Sequence, residues 1–264
     1  PVKDGEAKLE IFHKNQKSTL TVRVAGVSGD FRPDYVRDVM PVLSKLGCNA
    51  GTCHGSKDGK NGFKLSLRGY DPIYDVRAFT DDLASRRVNV AAPDNSLILL
   101  KASASVPHEG GQLTEVGEDY YEILKGWIAN GAKLDTSSAR VASIELYPRN
   151  SVVQKIGNKQ QMRVIATYAD GEKRDVTAES FIETGNSDIA TTDESGLVST
   201  LRRGEAPMLA RFEGAYASTI VTVMGDRSGF GWQGMPAHNE IDEFVAAKLR
   251  RTRTLPPGRS AAEG

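Results

Sequence analysis

Apolar and polar positions change their period twice along the chain. Residues 8–27, KLEIFH and STLTVRVAGV around the polar turn HKNQK, alternate with period two and predict two strands. The next hundred residues follow a period of three to four. Val36, Val39, Met40, Leu43 and Leu46 make one stripe and predict an amphipathic helix over 33–46, with Pro33 in its first turn and Gly47 as its stop. Pro41 conflicts with that stripe, because inside a helix it removes a hydrogen bond; either the helix starts later or it kinks there. Val76, Phe79 and Leu83 predict a helix over 73–86, and Asp94 or Asn95 is placed to cap a short one through Leu97 to Leu100. Tyr121, Leu124, Trp127 and Ile128 predict the strongest helix, over 118–130, ended by Asn130-Gly131. Residues 55–71 and 103–118 read as loops.

After residue 138 the period returns to two. IELYP, VVQKI, QQMRVIATYADGEKRDVT, LVSTL, PMLARFEG and YASTIVTVM are short strands separated by turns, with Asp170-Gly171 as a hairpin signal. This pattern predicts an antiparallel sandwich over 139–225. Residues 226–238 read as a Gly-rich linker, and 240–251 as one amphipathic helix with little left to pack on. The pattern divides the chain into a β-hairpin or remnant of an upstream β domain (1–30), a helical unit (31–138), a β unit (139–225) and a linker, short helix and tail (226–264). The fold class expected is multidomain α + β, a small all-α domain beside an antiparallel β-sandwich. No internal repeat or low-complexity tract stands out.

Composition narrows the classes. The 264 residues carry 34 Lys+Arg against 34 Asp+Glu, a net charge of zero, which argues against a nucleic-acid binder. With 39% hydrophobic and 26% charged residues the chain is globular and not disordered. No apolar run approaches the ~20 residues of a membrane span. The chain starts at Pro1 without Met, which points to a leader or larger parent cut away.

The two cysteines supply the chemistry. Cys48-Asn49-Ala50-Gly51-Thr52-Cys53-His54 is an expanded form of the C-x-x-C-H haem attachment motif, with four residues between the thiols. Two thiols add across the haem vinyl groups, and the His ligates iron. The extra residues must bulge outward, which the small Ala50, Gly51 and Thr52 permit, Gly51 being free to take a positive φ. Three other readings remain open at this point. They are a Cys48–Cys53 disulfide, a share in a zinc site that lacks two further ligands, and inert thiols.

If haem is bound, a sixth ligand is needed or the site is open. His108, in the loop Val106-Pro107-His108-Glu109-Gly110-Gly111, is the imidazole available after the motif within the helical segment, and Met40 is the rival. His13 and His238 read as solvated. Trp127 and Tyr121 suit either the porphyrin or a core; Arg68, Arg86 and Arg87 suit propionates or solvent. Lys248, Arg250, Arg251 and Arg253 read as a solvated helix end. No catalytic triad, phosphate loop or H-E-x-x-H motif is present.

The stretch VRDVMPVLSKLGCNAGTCHGSKDGKNGFKLSLRGYDP, then APDNSLILLKASASVPHEGG and DYYEILKGWIANGAKLD, resembles the planctomycete-type cytochrome c domain over about 31–138. That resemblance implies covalent haem c on Cys48 and Cys53, with His54 as proximal iron ligand; His108 falls where the family's loop histidine lies, and its distal role is an inference. Residues 140–224 resemble a group 2 bacterial immunoglobulin-like domain, carried by Val141 to Leu146, Ala169-Asp170-Gly171 and Asp175-Val176-Thr177. Residues 239–249 resemble the opening of an uncharacterised domain that follows such modules in large planctomycete surface or periplasmic proteins, which makes this chain the N-terminal portion of a longer one.

The expectation is a monohaem electron-transfer module rather than an enzyme, fused to an Ig-like sandwich and placed in the periplasm or at the cell surface. Its partner would be a redox protein or the missing downstream domain; no nucleic acid and no membrane span are expected. Two alternatives stand beside it: a haem peroxidase or gas-binding site with an open or labile sixth position, and a haem-free, disulfide-closed adhesion or carbohydrate-binding module.

Overall fold

Two hydrophobic cores, with no buried apolar residue shared, divide the chain in the computed structural model, which describes residues 3–25, 27, 29, 31–83 and 86–256. The chain opens on a two-stranded antiparallel hairpin, β1 (Gly5–His13) and β2 (Gln16–Val24). The helical unit follows. A π-helical turn, Tyr35–Val39, leads into α1 (Met40–Lys45); α2 (Pro72–Thr80), α3 (Leu97–Ala102) and α4 (Asp119–Ala129) complete it. Between α1 and α4 the described residues contain no strand beyond one isolated bridge, Lys60 to Phe63.

The conflict at Pro41 is resolved by the π turn. Asp34 caps it through its side chain, accepting from the Arg37 N–H, and its carbonyl accepts from Asp38 at 3.0 Å and from Val39 at 3.1 Å. The wider turn hands over to α1 with Pro41 in the first turn, where a missing N–H has no cost. Gly47 ends α1 with φ +76°, as its composition predicts.

Three boundaries differ from the pattern. The helix expected over 73–86 stops at Thr80, with Leu83 45% exposed and Ala84 and Ser85 outside the described residues. Asp94 and Asn95 sit in a 3₁₀ turn, Pro93–Asn95, and the cap position of α3 belongs to Ser96, whose hydroxyl accepts from the Asn89 N–H instead. The segment QQMRVIATYADGEKRDVT, read as strand on either side of a hairpin signal, holds three strands: β5 (Lys159–Gln161), β6 (Arg163–Tyr168) and β7 (Lys173–Asp175), the last two joined at Asp170-Gly171 as expected.

The β unit adds β3 (Val141–Tyr147), β4 (Val152–Val153), β8 (Phe181–Thr184), β9 (Ala190–Thr192), β10 (Leu197–Thr200), β11 (Gly204–Phe212) and β12 (Ala215–Val223). Its sheets run β5-β10-β9, β4-β12-β11-β8 and β3-β6-β7; every pairing is antiparallel except β4 with β12. Alternate residues of β6, β11 and β12 point inward, so Val164, Ala166, Ala206, Met208 and Val221 are fully buried. The helical core is built from Tyr35, Met40, Leu43, Leu65, Phe79, Leu99, Leu124, Trp127 and Ile128. The amphipathic α5 (Glu240–Arg251) buries no residue.

Polar contacts tie the two units together. The Arg37 guanidinium lies 4.3 Å from the Tyr168 ring and donates to Glu172 at 2.7 Å. Arg174 donates to Asp38 at 2.9 Å, Lys45 to the Ser180 carbonyl at 2.7 Å, and the Tyr120 hydroxyl to the Ala178 carbonyl at 2.8 Å.

Candidate functional site

The C-x4-C-H segment is wound into consecutive turns directly after α1. The Cys48 N–H donates to the Leu43 carbonyl at 2.9 Å, His54 N–H to the Cys48 carbonyl at 3.0 Å, and Gly55 N–H to the Ala50 carbonyl at 3.0 Å. The bulge residues Gly51 and Thr52 face solvent, as the motif requires. Gly51 does not adopt the positive φ expected of it; Gly47 takes that conformation at the entrance to the loop. Gly55 carries a different constraint, since a Cβ there would overlap the Asn49 carbonyl.

Both thiols are free, so the structure contains no Cys48–Cys53 disulfide. Cys48 packs against the helical core, and burial, then the neighbouring Cys53, pushes its pKa up to about 12. Among the described residues no group of three or more His, Cys, Asp or Glu side chains is arranged to hold a metal ion.

The two histidines share one device. His54 Nδ1 lies 3.0 Å from the Phe63 carbonyl, and His108 Nδ1 lies 2.9 Å from the Gly111 carbonyl. A carbonyl only accepts, so each Nδ1 carries the proton and each Nε2 carries the lone pair. A carbonyl on Nδ1 fixes the ring and its tautomer, the arrangement that a metal-binding imidazole needs. Burial holds His54 below the ordinary imidazole range, against the opposing pull of the Phe63 carbonyl, and so favours the neutral, ligating form. A Cβ on Gly110 would press on the His108 ring, which explains why the loop carries glycine at that position.

The loop 55–71 is held to this site by buried polar contacts that the pattern of the sequence did not signal. Asp75, on α2, accepts from the Ser66 hydroxyl at 2.7 Å and from the Ser66 N–H, and burial raises its pKa to about 6. Arg87 is buried and structural: it donates to the carbonyls of Ala78 and Gly62, pairs with Asp82, and stacks 4.6 Å from the Phe63 ring. Its fork is committed, so it is not available to a propionate. Arg68 and Arg86 are exposed.

Met40, the rival ligand, is 1% exposed and packs against Gly69, which assigns it to the core. Tyr121 and Trp127 are core residues, the former donating to Asp94 at 2.9 Å and the latter to the Lys133 carbonyl at 2.9 Å. His13 and His238 are exposed, as expected. The basic end of α5 is not merely solvated: Lys248 and Arg251 clasp Glu205 on β11, at 2.7 and 3.1 Å. One cleft lies between the units beside Pro41, Ser44, Arg68, Phe181 and Glu213, with Ser44 and Arg68 both hydrogen-bonded to Asn49 of the motif; another runs along the outer side of α2.

Comparison with known proteins places one part of the chain. Residues 140–210 match the bacterial Ig-like domain (group 2), a match that lies wholly within the β unit. A curated relative, Ice-binding protein 1 of Shewanella frigidimarina (strain NCIMB 400), is 33% identical over 120 residues, which are 46% of this chain and 13% of that protein. The chain therefore spans about an eighth of the relative it matches. Among solved structures, domains 4 and 5 of the S-layer protein SbsC align over 33% of this chain and 53% of theirs at 18% identity, with a TM-score of 0.29. Domains 5–6 of that protein align over 39% of this chain and 52% of theirs at 15% identity, with a TM-score of 0.30. Among the described residues no helix is long and apolar enough to cross a membrane.

Proposed function

We propose that residues 31–138 form a c-type cytochrome module holding one haem c for single-electron transfer. Cys48 and Cys53 would hold the group through thioethers, His54 would be the proximal ligand and His108 the distal one. The observation that carries this reading is the pair of imidazoles, each locked by a backbone carbonyl with Nε2 left as the free donor. The bound group would supply a one-electron redox couple, lower in potential for two imidazoles than for imidazole and thioether. The chain's own residues orient the two rings, keep His54 neutral and hold the motif loop against α1. The Ig-like unit, fastened through Arg37, Lys45 and Arg174, would set the module's position relative to a redox partner protein or a downstream domain. Covalent haem attachment of this kind would go with a periplasmic or cell-surface location.

A second reading, adhesion or carbohydrate binding by the Ig-like unit without haem, is favoured over the first by the comparisons. They rest on the Ig-like match and on a relative named for binding ice. Haem staining of a denaturing gel separates the two. A band from protein matured in a host that attaches haem, lost in Cys48→Ser/Cys53→Ser, supports the first; an unstained band in a host shown to mature other cytochromes c leaves the second. Within the first reading, His108→Ala is expected to lose the six-coordinate low-spin spectrum. An unchanged spectrum removes His108 as ligand, and a wild-type high-spin site that binds CO or cyanide favours a peroxidase or gas-binding role.

A further inference from the structure

The hairpin β1–β2 belongs to neither core. Leu9 and Ile11 are each 52% exposed and Leu20 is 54% exposed, and together with Ala7, Val22 and Val24 they form one apolar face. A free two-stranded hairpin is marginal in water, and an apolar face of this kind calls for a partner.

The hairpin β11–β12 identifies that partner. Both hairpins join two nine-residue strands through two residues, in one register: Gly5 opposes Val24 and His13 opposes Gln16, as Gly204 opposes Val223 and Phe212 opposes Ala215. The first turn residue is left-handed in both, Lys14 at φ 52° and Glu213 at φ 45°, and both first strands begin on a glycine, with φ 157° and 151°. Laid on one another from Gly5 on Gly204, both open Gly-Glu-Ala, Val22 and Val24 fall on Val221 and Val223, and beyond the strands Gly26 and Phe31 fall on Gly225 and Phe230.

Burial in one hairpin maps onto apolarity in the other. The buried Ala206, Met208, Ala210, Val221 and Val223 correspond to Ala7, Leu9, Ile11, Val22 and Val24. The solvent-facing Pro207, Leu209, Tyr216 and Ser218 correspond to Lys8, Glu10, Lys17 and Thr19. The two-residue turn fixes the shared register, and a one-residue slip would turn every side chain to the other face, so the likeness rests on the common facing together with the shared Gly-Glu-Ala opening and valines; Phe212 and Ala217 fall on the polar His13 and Ser18.

We infer that β1–β2 is the closing hairpin of a second Ig-like sandwich, and that the remaining strands of that sandwich are supplied by polypeptide N-terminal to Pro1. The apolar face is its core face. The helical unit then lies between two sandwiches of one kind. This inference stands on the hairpins alone and is independent of what the helical unit binds.

Amide hydrogen exchange tests it, comparing residues 5–24 in this 264-residue chain with the same residues in the natural polypeptide extended upstream by one sandwich length. Exchange at least a hundredfold slower in the extended chain, restored to fast exchange by Leu9→Asp there, is the expected result. Equal rates in both wild-type chains overturn the inference. So does protection in the 264-residue chain that grows with protein concentration, which would make a second copy the occupant. Protection there at every concentration would place the hairpin on this chain's own units and equally overturn it. Should Leu9→Asp prevent the upstream unit from folding, the two wild-type chains decide alone.

Discussion

At the scale of single residues, the candidate site is governed by what is protonated. His54 and His108 are each fixed as Nδ1–H tautomers by a carbonyl. Cys48 is raised to about 12 by burial, so in haem-free protein it reacts poorly as a nucleophile. A thiol with that pKa is thiolate about a thousandfold less often at pH 8 than an ordinary cysteine. A high-pKa thiolate is intrinsically more nucleophilic, which offsets part of that deficit, so alkylation of haem-free chain, followed by peptide mass spectrometry, should label Cys48 slower than free cysteine by more than about tenfold. Labelling of Cys48 at the rate of free cysteine would show that its sulfur is not held in the core. Cys48, Cys53 and His54 stand out in the sequence by their spacing alone, as the segment on which the proposed attachment would rest. The carbonyls of Phe63 and Gly111 do not, since backbone acceptors leave no mark in composition. Nor does Arg87, an apparent surface charge whose buried partners are again carbonyls, together with Asp82.

At the scale of elements, periodicity located what buries a regular stripe. It found α4 and α5 almost to the residue, along with most of the strands between 141 and 223. It missed the π turn at Tyr35–Val39, because a widened turn keeps nearly the same apolar spacing as an α-helix. The match between the two hairpins also escaped it, because their shared feature is register and facing, with few identical residues. The turn of β11–β12 carries its own liability. Glu213 has a side chain only 3% exposed, with Arg140 3.7 Å away, and burial raises its pKa to about 7. The sign follows from an acid raised on folding. The folded state favours the protonated form, so this group's contribution is most favourable below its unfolded pKa and declines as pH rises toward 7. Glu213→Gln should stabilise the chain at pH 8, by about 1–3 kcal/mol, and change little at pH 4. Thermal denaturation at the two pH values checks this; an equal shift at both would mean that the carboxyl does not titrate in this range.

At the scale of the whole molecule, a helical unit and an Ig-like unit meet through a polar seam. Asp38 accepts from Arg174 across it and from the Asp34 N–H within its own turn. Removing the carboxylate leaves both donors unmatched. Asp38→Ala should lower stability by about 1–3 kcal/mol, less than a fully buried pair because Arg174 is one-third exposed. Loss of that size in the helical unit's unfolding transition, read by calorimetry, is the expected outcome; no loss would mean that the seam does not couple the units. The central claim concerns what the helical unit carries. Its most direct test is a pyridine haemochrome spectrum of protein matured in a host that attaches haem, recorded after acid–acetone extraction. The account predicts that the haem resists extraction and that its band lies where two thioethers put it. Haem that extracts, or protein that emerges without haem beside a correctly matured control cytochrome, would contradict it.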